Sequence, residues 1–106
     1  MTFKTIEYML AILEEGGFSR AAQRLYISQP ALSQAIRKAE EEIGTPLFVR
    51  DTRSIHLTAA GELLVREGRE LIKQRDDLVH HLAGMSSSQR ETIRFGISPF
   101  YSKYYL

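Results

Sequence analysis

The chain has 106 residues, 43% of them hydrophobic and 25% charged, with a formal net charge of +1. That length holds one small domain with some accessory structure and excludes a large buried cavity or cofactor crevice. The absence of cysteine excludes a disulfide framework and a thiolate zinc site, and suits a reducing interior.

No apolar run approaches the ~20 residues of a membrane span, and the N-terminus lacks a basic stretch followed by an apolar core. A cytoplasmic protein without a membrane partner is therefore expected. Phe3, Ile6, Leu10 and Leu13 recur at helical spacing, and Gly16-Gly17 offers the left-handed stop for this first helix. Ser19 is predicted to N-cap a short second helix, Arg20 to Leu25, whose Ala21 and Ala22 permit close approach to a neighbour. Tyr26-Ile27 is all that links it to the third. Ser28 is predicted to cap that third helix, and Pro30 is tolerated in its first turn, where the missing N–H would have no intrahelical partner. The helix is expected to run to Ile43 and to end at Gly44, with Pro46 blocking continuation.

Wound at about 100° per residue, Leu32, Ile36, Ala39 and Ile43 form one narrow core-facing stripe. The opposite side carries Pro30, Ser33, Gln34, Arg37 and Lys38, with no carboxylate until Glu40. A solvated face usually mixes both charge signs within each turn. Across positions 19 to 38 the charges are Arg20, Arg24, Arg37 and Lys38, and the acids Glu7, Glu14, Glu15 and Glu40 to Glu42 lie outside. A nearly neutral chain therefore contains a local basic zone, and distribution rather than net charge points to nucleic acid.

The stretch "PLFVRDTRSIHLT" holds two short alternating runs, Leu47 to Arg50 and Ser54 to Leu57, separated by Asp51-Thr52-Arg53. A small hairpin with arginine at its tip is predicted. Thr58 should cap a long helix from Ala59 to about Met85, about 40 Å at ~1.5 Å per residue. Leu64, Leu71, Leu78 and Met85 recur every seven residues with Leu82 beside them, an imperfect heptad suited to pairing with a second copy. Packing of these leucines on helix one is the alternative. Residues 86–91 are expected to form a hinge, and "ETIRFGIS" to form one β-strand that opens a second domain, of which 92–106 is the beginning.

The ordered set Phe18-Ser19-Arg20-Ala21-Ala22, Ser28-Gln29-Pro30-Ala31-Leu32-Ser33, Ile36-Arg37, Pro46-Leu47-Phe48 and Leu57-Thr58-Ala59-Ala60-Gly61 closely resembles the N-terminal DNA-binding domain of the LysR-type transcriptional regulators. The resemblance covers roughly residues 1 to 97. It implies a mainly α fold: a winged helix-turn-helix of three helices plus a two-stranded wing over 1–58, then a long dimerisation helix over 59–85. It further implies a bacterial regulator about three times this length, a tetramer when complete, whose C-terminal domain senses a small-molecule effector. Gln34 stands where arginine is common in the family, Ala35 where glutamine is frequent and Ala39 where leucine is frequent.

In a helix-turn-helix the second helix enters the major groove with its N-terminal residues against base edges. Gln29, Pro30, Ser33, Gln34 and Arg37 are accordingly the candidate base readers: Gln pairs with adenine, Arg with guanine, and proline meets a thymine methyl. Glu40 to Glu42 favour this orientation, since an acidic end is repelled by phosphates. Ser19, Arg20, Ser28, Lys38, Arg50 and Arg53 are candidates for backbone or minor-groove contact. Ser28 also has a plain capping role, Arg20 that of a solvated charge, and Arg37 that of an intrahelical partner for Glu40 or Glu41.

Two other classes compete. Enzyme chemistry and a metal centre are not expected, because His56, His80 and His81 lie on a hairpin and a long helix, adjacent His80 and His81 diverge, and no cofactor motif is present. A helical dimer of winged-helix fold that binds protein instead of DNA would present apolar anchors on helix three. The Ser, Gln, Arg and Lys found there favour double-stranded DNA.

Overall fold

Helix α1 (Phe3–Glu15) forms where apolar residues recur on one face, and it buries Ile6, Met9, Ala11 and Ile12. Phe3, expected on that face, is 40% exposed, because it is the first helical residue and lies beyond the reach of the packed turns. Gly16 ends α1 in the left-handed conformation at φ 80°, and its N–H donates to the Ile12 carbonyl. The computed structural model describes residues 1–50 and 54–88. After α1 come α2 (Phe18–Leu25), α3 (Gln29–Ile43) and α4 (Ala59–Ser88).

Helix α2 begins two residues before the predicted start. Gly17, with extended backbone, is its N-cap, and its carbonyl already accepts the Ala21 N–H at 3.2 Å. Ser19 is therefore inside the first turn and is not a cap. Tyr26 closes α2 in the left-handed region at φ 60°, with its N–H donating to Gln23 and that of Ile27 to Ala22. The side chain of Tyr26 is 94% exposed.

For α3 the predicted boundaries hold. Ser28 Oγ accepts the Ala31 N–H at 3.1 Å, proline lies in the first turn, and Gly44 at φ 89° is the C-cap. Leu32, Ile36 and Ala39 are buried as the stripe requires, but Ile43 is 42% exposed. It is the last helical residue, and the chain reverses at Gly44 before anything can cover it. Leu32 and Ile36 join Met9, Ile12, Ala21 and Ala22 in the core, where burying one aliphatic side chain contributes about 1.5–3 kcal/mol.

The chain after Pro46 folds back on itself. Phe48 and Leu57 form an antiparallel bridge, with the Val49 N–H donating to His56 and the Thr58 N–H to Leu47. Pairing is limited to this bridge, and no longer strand forms among the described residues. The expected tip, Asp51-Thr52-Arg53, lies outside the described residues, as do the hinge from Gln89 onward and the strand near Ile93. Phe48 packs edge-on against Phe18 at the start of α2, with ring centroids 5.4 Å apart.

Thr58 Oγ1 accepts the Gly61 N–H at 3.0 Å and donates to the Pro46 carbonyl at 2.7 Å. It thus caps α4 and ties its start to the chain leaving α3. Two contact units divide the chain, Met1–Glu70 and a second from Leu71 onward. Within the first, Leu64, expected at the dimer seam, is half-buried against the core of its own chain, and Val65 is buried. In the second, Leu71, Leu78, Leu82 and Met85 are 42–58% exposed. Helix α4 continues to Ser88, so the first three residues of the expected hinge are helical.

Two glycines of α4 sit where a side chain has no room. A Cβ on Gly61 would lie 2.2 Å from the Leu47 carbonyl oxygen, whereas one on Gly68 would meet only the Ile6 side chain, at 2.7 Å. Backbone cannot step aside as a side chain can. Gly61→Ala should therefore destabilise by about 1–3 kcal/mol through overpacking, and by more than Gly68→Ala, as measured by urea unfolding of the two variants.

Candidate nucleic-acid interface

The sequence-predicted residues of helices two and three face solvent for the most part. Ser28, Gln29, Pro30, Gln34, Arg37 and Lys38 are exposed, and Ser33 is half-buried. Gln29 Nε2 donates to Ser33 Oγ at 2.9 Å, which holds the amide over the first turn of α3 with its oxygen available. Ser19 and Arg20 are exposed on the first turn of α2. No ion pair of Arg37 with Glu40 or Glu41 occurs among the described residues, so its guanidinium is not spent on its own helix.

The basic zone is nonetheless smaller than it looks in sequence. Arg24 donates to Glu14 Oε1 at 2.8 Å and to Glu15 Oε2 at 3.2 Å, and these hydrogen bonds hold its guanidinium above the usual arginine range. Arg24 therefore joins α2 to the end of α1. Arg50, expected at the DNA backbone, pairs with Glu40. Arg53, expected at the wing tip, lies outside the described residues.

The acids at the end of α3 are not a free negative cluster either. The Met1 ammonium pairs with Glu42 and holds that carboxyl below the usual carboxylate range. Glu40 Oε2 accepts the Leu47 N–H at 2.7 Å and the Phe48 N–H at 3.4 Å, while Oε1 takes Arg50. Its side chain is 12% exposed. Sequence reasoning treated Glu40 as one of three repelling charges and missed this. The available signal was its place one turn beyond Ile36, at the edge of the core stripe rather than opposite it.

Among the described residues no three His, Asp or Glu side chains gather where they could hold a metal ion, and no helix is long and apolar enough to cross a membrane. The chemistry available on the surface is hydrogen bonding and positive charge, presented from the N-terminal half of a helix. Ser28 has a capping role measurable without any ligand. Ser28→Ala should cost about 0.5–2 kcal/mol of stability, read by thermal unfolding, with the helical spectrum retained at low temperature.

Comparison with known proteins agrees with this geometry. Residues 3–62 match the family described as bacterial regulatory helix-turn-helix protein, lysR family. The chain is 38% identical over 98 residues to the HTH-type transcriptional regulator BudR of Klebsiella aerogenes, covering 92% of this chain and 68% of BudR. It is 38% identical over 94 residues to the HTH-type transcriptional regulator XapR of Escherichia coli, covering 89% of this chain but 32% of XapR. The chain thus spans about two thirds of the first relative and about a third of the second. Among solved structures, the BenM DBD in complex with catB site 1 DNA superposes with a TM-score of 0.79 at 32% identity, covering 83% of this chain and 95% of that one. The chain belongs to the lysR family of bacterial regulatory helix-turn-helix proteins and carries the DNA-binding part of a transcriptional regulator.

Proposed function

We propose that this chain reads a dyad-symmetric operator as a homodimer, with α3 in the major groove and the folded-back segment 47–57 as a wing on the backbone or in the minor groove. The observation that carries this is the acid-free run of α3 from Gln29 to Lys38, where Gln29, Pro30, Gln34 and Arg37 are exposed and Ser33 half-buried, all ready for base edges. Ser19, Arg20, Ser28 and Lys38 contact phosphates around it, and the N-terminus of α3 favours an anion. Arg53 is the wing cation, since Arg50 is held by Glu40. Support for duplex DNA as partner comes from the similarity to a DNA-binding domain solved on its DNA site.

Dimerisation runs through α4, by Leu71, Leu78, Leu82 and Met85, which are exposed at heptad-related spacing. Domains 1–58 and 59–85 are the reader and the coupling helix, and residues 92–106 begin an effector-binding domain. A complete protein of this kind is a cytoplasmic tetramer that responds to a small molecule through that further domain. The match to only 32% of XapR leaves room for it.

Selection of bound sites from a random duplex library should enrich a dyad with half-sites about one helical turn apart or a multiple of it. Arg37→Ala should then cost about 1–3 kcal/mol on the selected site and relax preference at one base pair. Arg53→Ala should weaken all sequences alike and lower the salt slope by about one. Equal losses for Arg37→Ala on selected and random duplex would refute base reading by Arg37. In sedimentation the chain should be a dimer at micromolar concentration, and Leu78→Asp should give a helical monomer; a wild-type monomer refutes the pairing.

A further inference from the structure

The carboxylate of Glu40 has a geometry that neither helix capping nor surface charge accounts for. It is one of three consecutive glutamates, yet it alone is nearly withdrawn from water, with its side chain 12% exposed against 49% for Glu42. Its two oxygens divide their work. Oε2 takes the N–H groups of Leu47 and Phe48, the first residues of the folded-back segment, and Oε1 takes the Arg50 guanidinium three residues further along the same arm. Three donors spaced along one arm of the hairpin therefore converge on a single group carried by the recognition helix.

We infer that Glu40 is the positioning residue that fixes the wing to α3, so that base reading and backbone contact occur at one set distance along the operator. This inference rests on the DNA-binding reading above. Among the described residues the arm is joined to its partner by one bridge, Phe48 with Leu57, which is little to set its direction. The ionised carboxylate supplies direction, because charge-assisted hydrogen bonds are shorter and stronger than neutral ones and the arginine pair restricts rotation of the arm. The core anchors Leu47 and Phe48 by burial, whereas Val49 and Arg50 are exposed, so the bond from Arg50 is what carries the constraint out past the core. Pairing also neutralises a carboxylate that would otherwise oppose phosphates near the helix.

The test uses Glu40→Gln and Arg50→Gln, alone and combined with Arg53→Ala, on the selected operator. Glutamine at 40 keeps an acceptor for Leu47 but loses the guanidinium pair. Arg50→Gln leaves the carboxylate and its backbone donors in place at an exposed position, so it retains the fold. Each variant should weaken the operator complex at least about threefold, with little further loss once Arg53 is already alanine, since coupled sites are non-additive. Hydroxyl-radical protection flanking the half-site should fade, while dimethyl sulfate protection of guanine N7 in the major groove persists. Wild-type affinity for both variants, full additivity with Arg53→Ala, or parallel loss of both protections would overturn the assignment of Glu40. If instead Arg37→Ala and Arg53→Ala left binding and base preference unchanged, the DNA-binding reading itself would fail.

Discussion

Leu47 is the residue at which this domain is tied together. Its N–H is given to Glu40 of α3 at 2.7 Å and its carbonyl accepts from Thr58 at 3.0 Å, just before α4. Its side chain is 1% exposed, and Gly61 stands so close to its carbonyl that no Cβ fits between them. This residue thus satisfies both its backbone polar groups, one on α3 and one on the residue that precedes α4, while its side chain fills the core. Buried backbone groups that find no partner are costly, so the path of the chain from Gly44 to Ala59 has little freedom near this point. Helix α3, the base of the folded-back segment and the start of α4 take their mutual placement from it.

Electrostatics follows from that placement. Arg24 is taken by Glu14 and Glu15, Arg50 by Glu40, and Glu42 by the N-terminal ammonium. Surface pairs of this kind add little stability individually. Their larger effect is subtraction, since they remove charges of both signs from the field around α3. Arg20, Arg37 and Lys38 then stand out beside the uncharged groups of Gln29, Ser33 and Gln34. A chain of net charge +1 can in this way meet a polyanion with one locally positive surface, relying on positioned contacts more than on bulk charge.

Much of the fold was legible along the chain. The α3 boundaries follow from Ser28, Pro30 and Gly44, each acting through its own backbone: a side-chain acceptor, a missing donor and a left-handed φ. The core stripe followed from periodicity because burial on a helix is a matter of angle, and Leu32 and Ile36 are 0% exposed. The start of α2 was misplaced because a serine looked like a cap, while the helix had already begun at Phe18, with the carbonyl of the extended Gly17 as its first acceptor. Ile43 and Phe3 fit the periodic pattern and are exposed all the same, because the pattern gives direction and not whether anything lies there. The family was likewise readable, since an ordered series of short motifs carries it.

The sequence by itself determined the helices, the caps of α3 and α4, the polar face of α3 and, through an ordered series of short motifs, membership in the lysR family, because each is carried by residues close together in the chain. Only the tertiary structure decided which charges are spent internally, that Leu64 packs against the core of its own chain, and that Glu40 takes the N–H groups of Leu47 and Phe48 and the guanidinium of Arg50. Those outcomes depend on groups seven to ten residues apart across a chain reversal, or on opposite elements. No local pattern encodes the distance between them, because it is set by how the core closes.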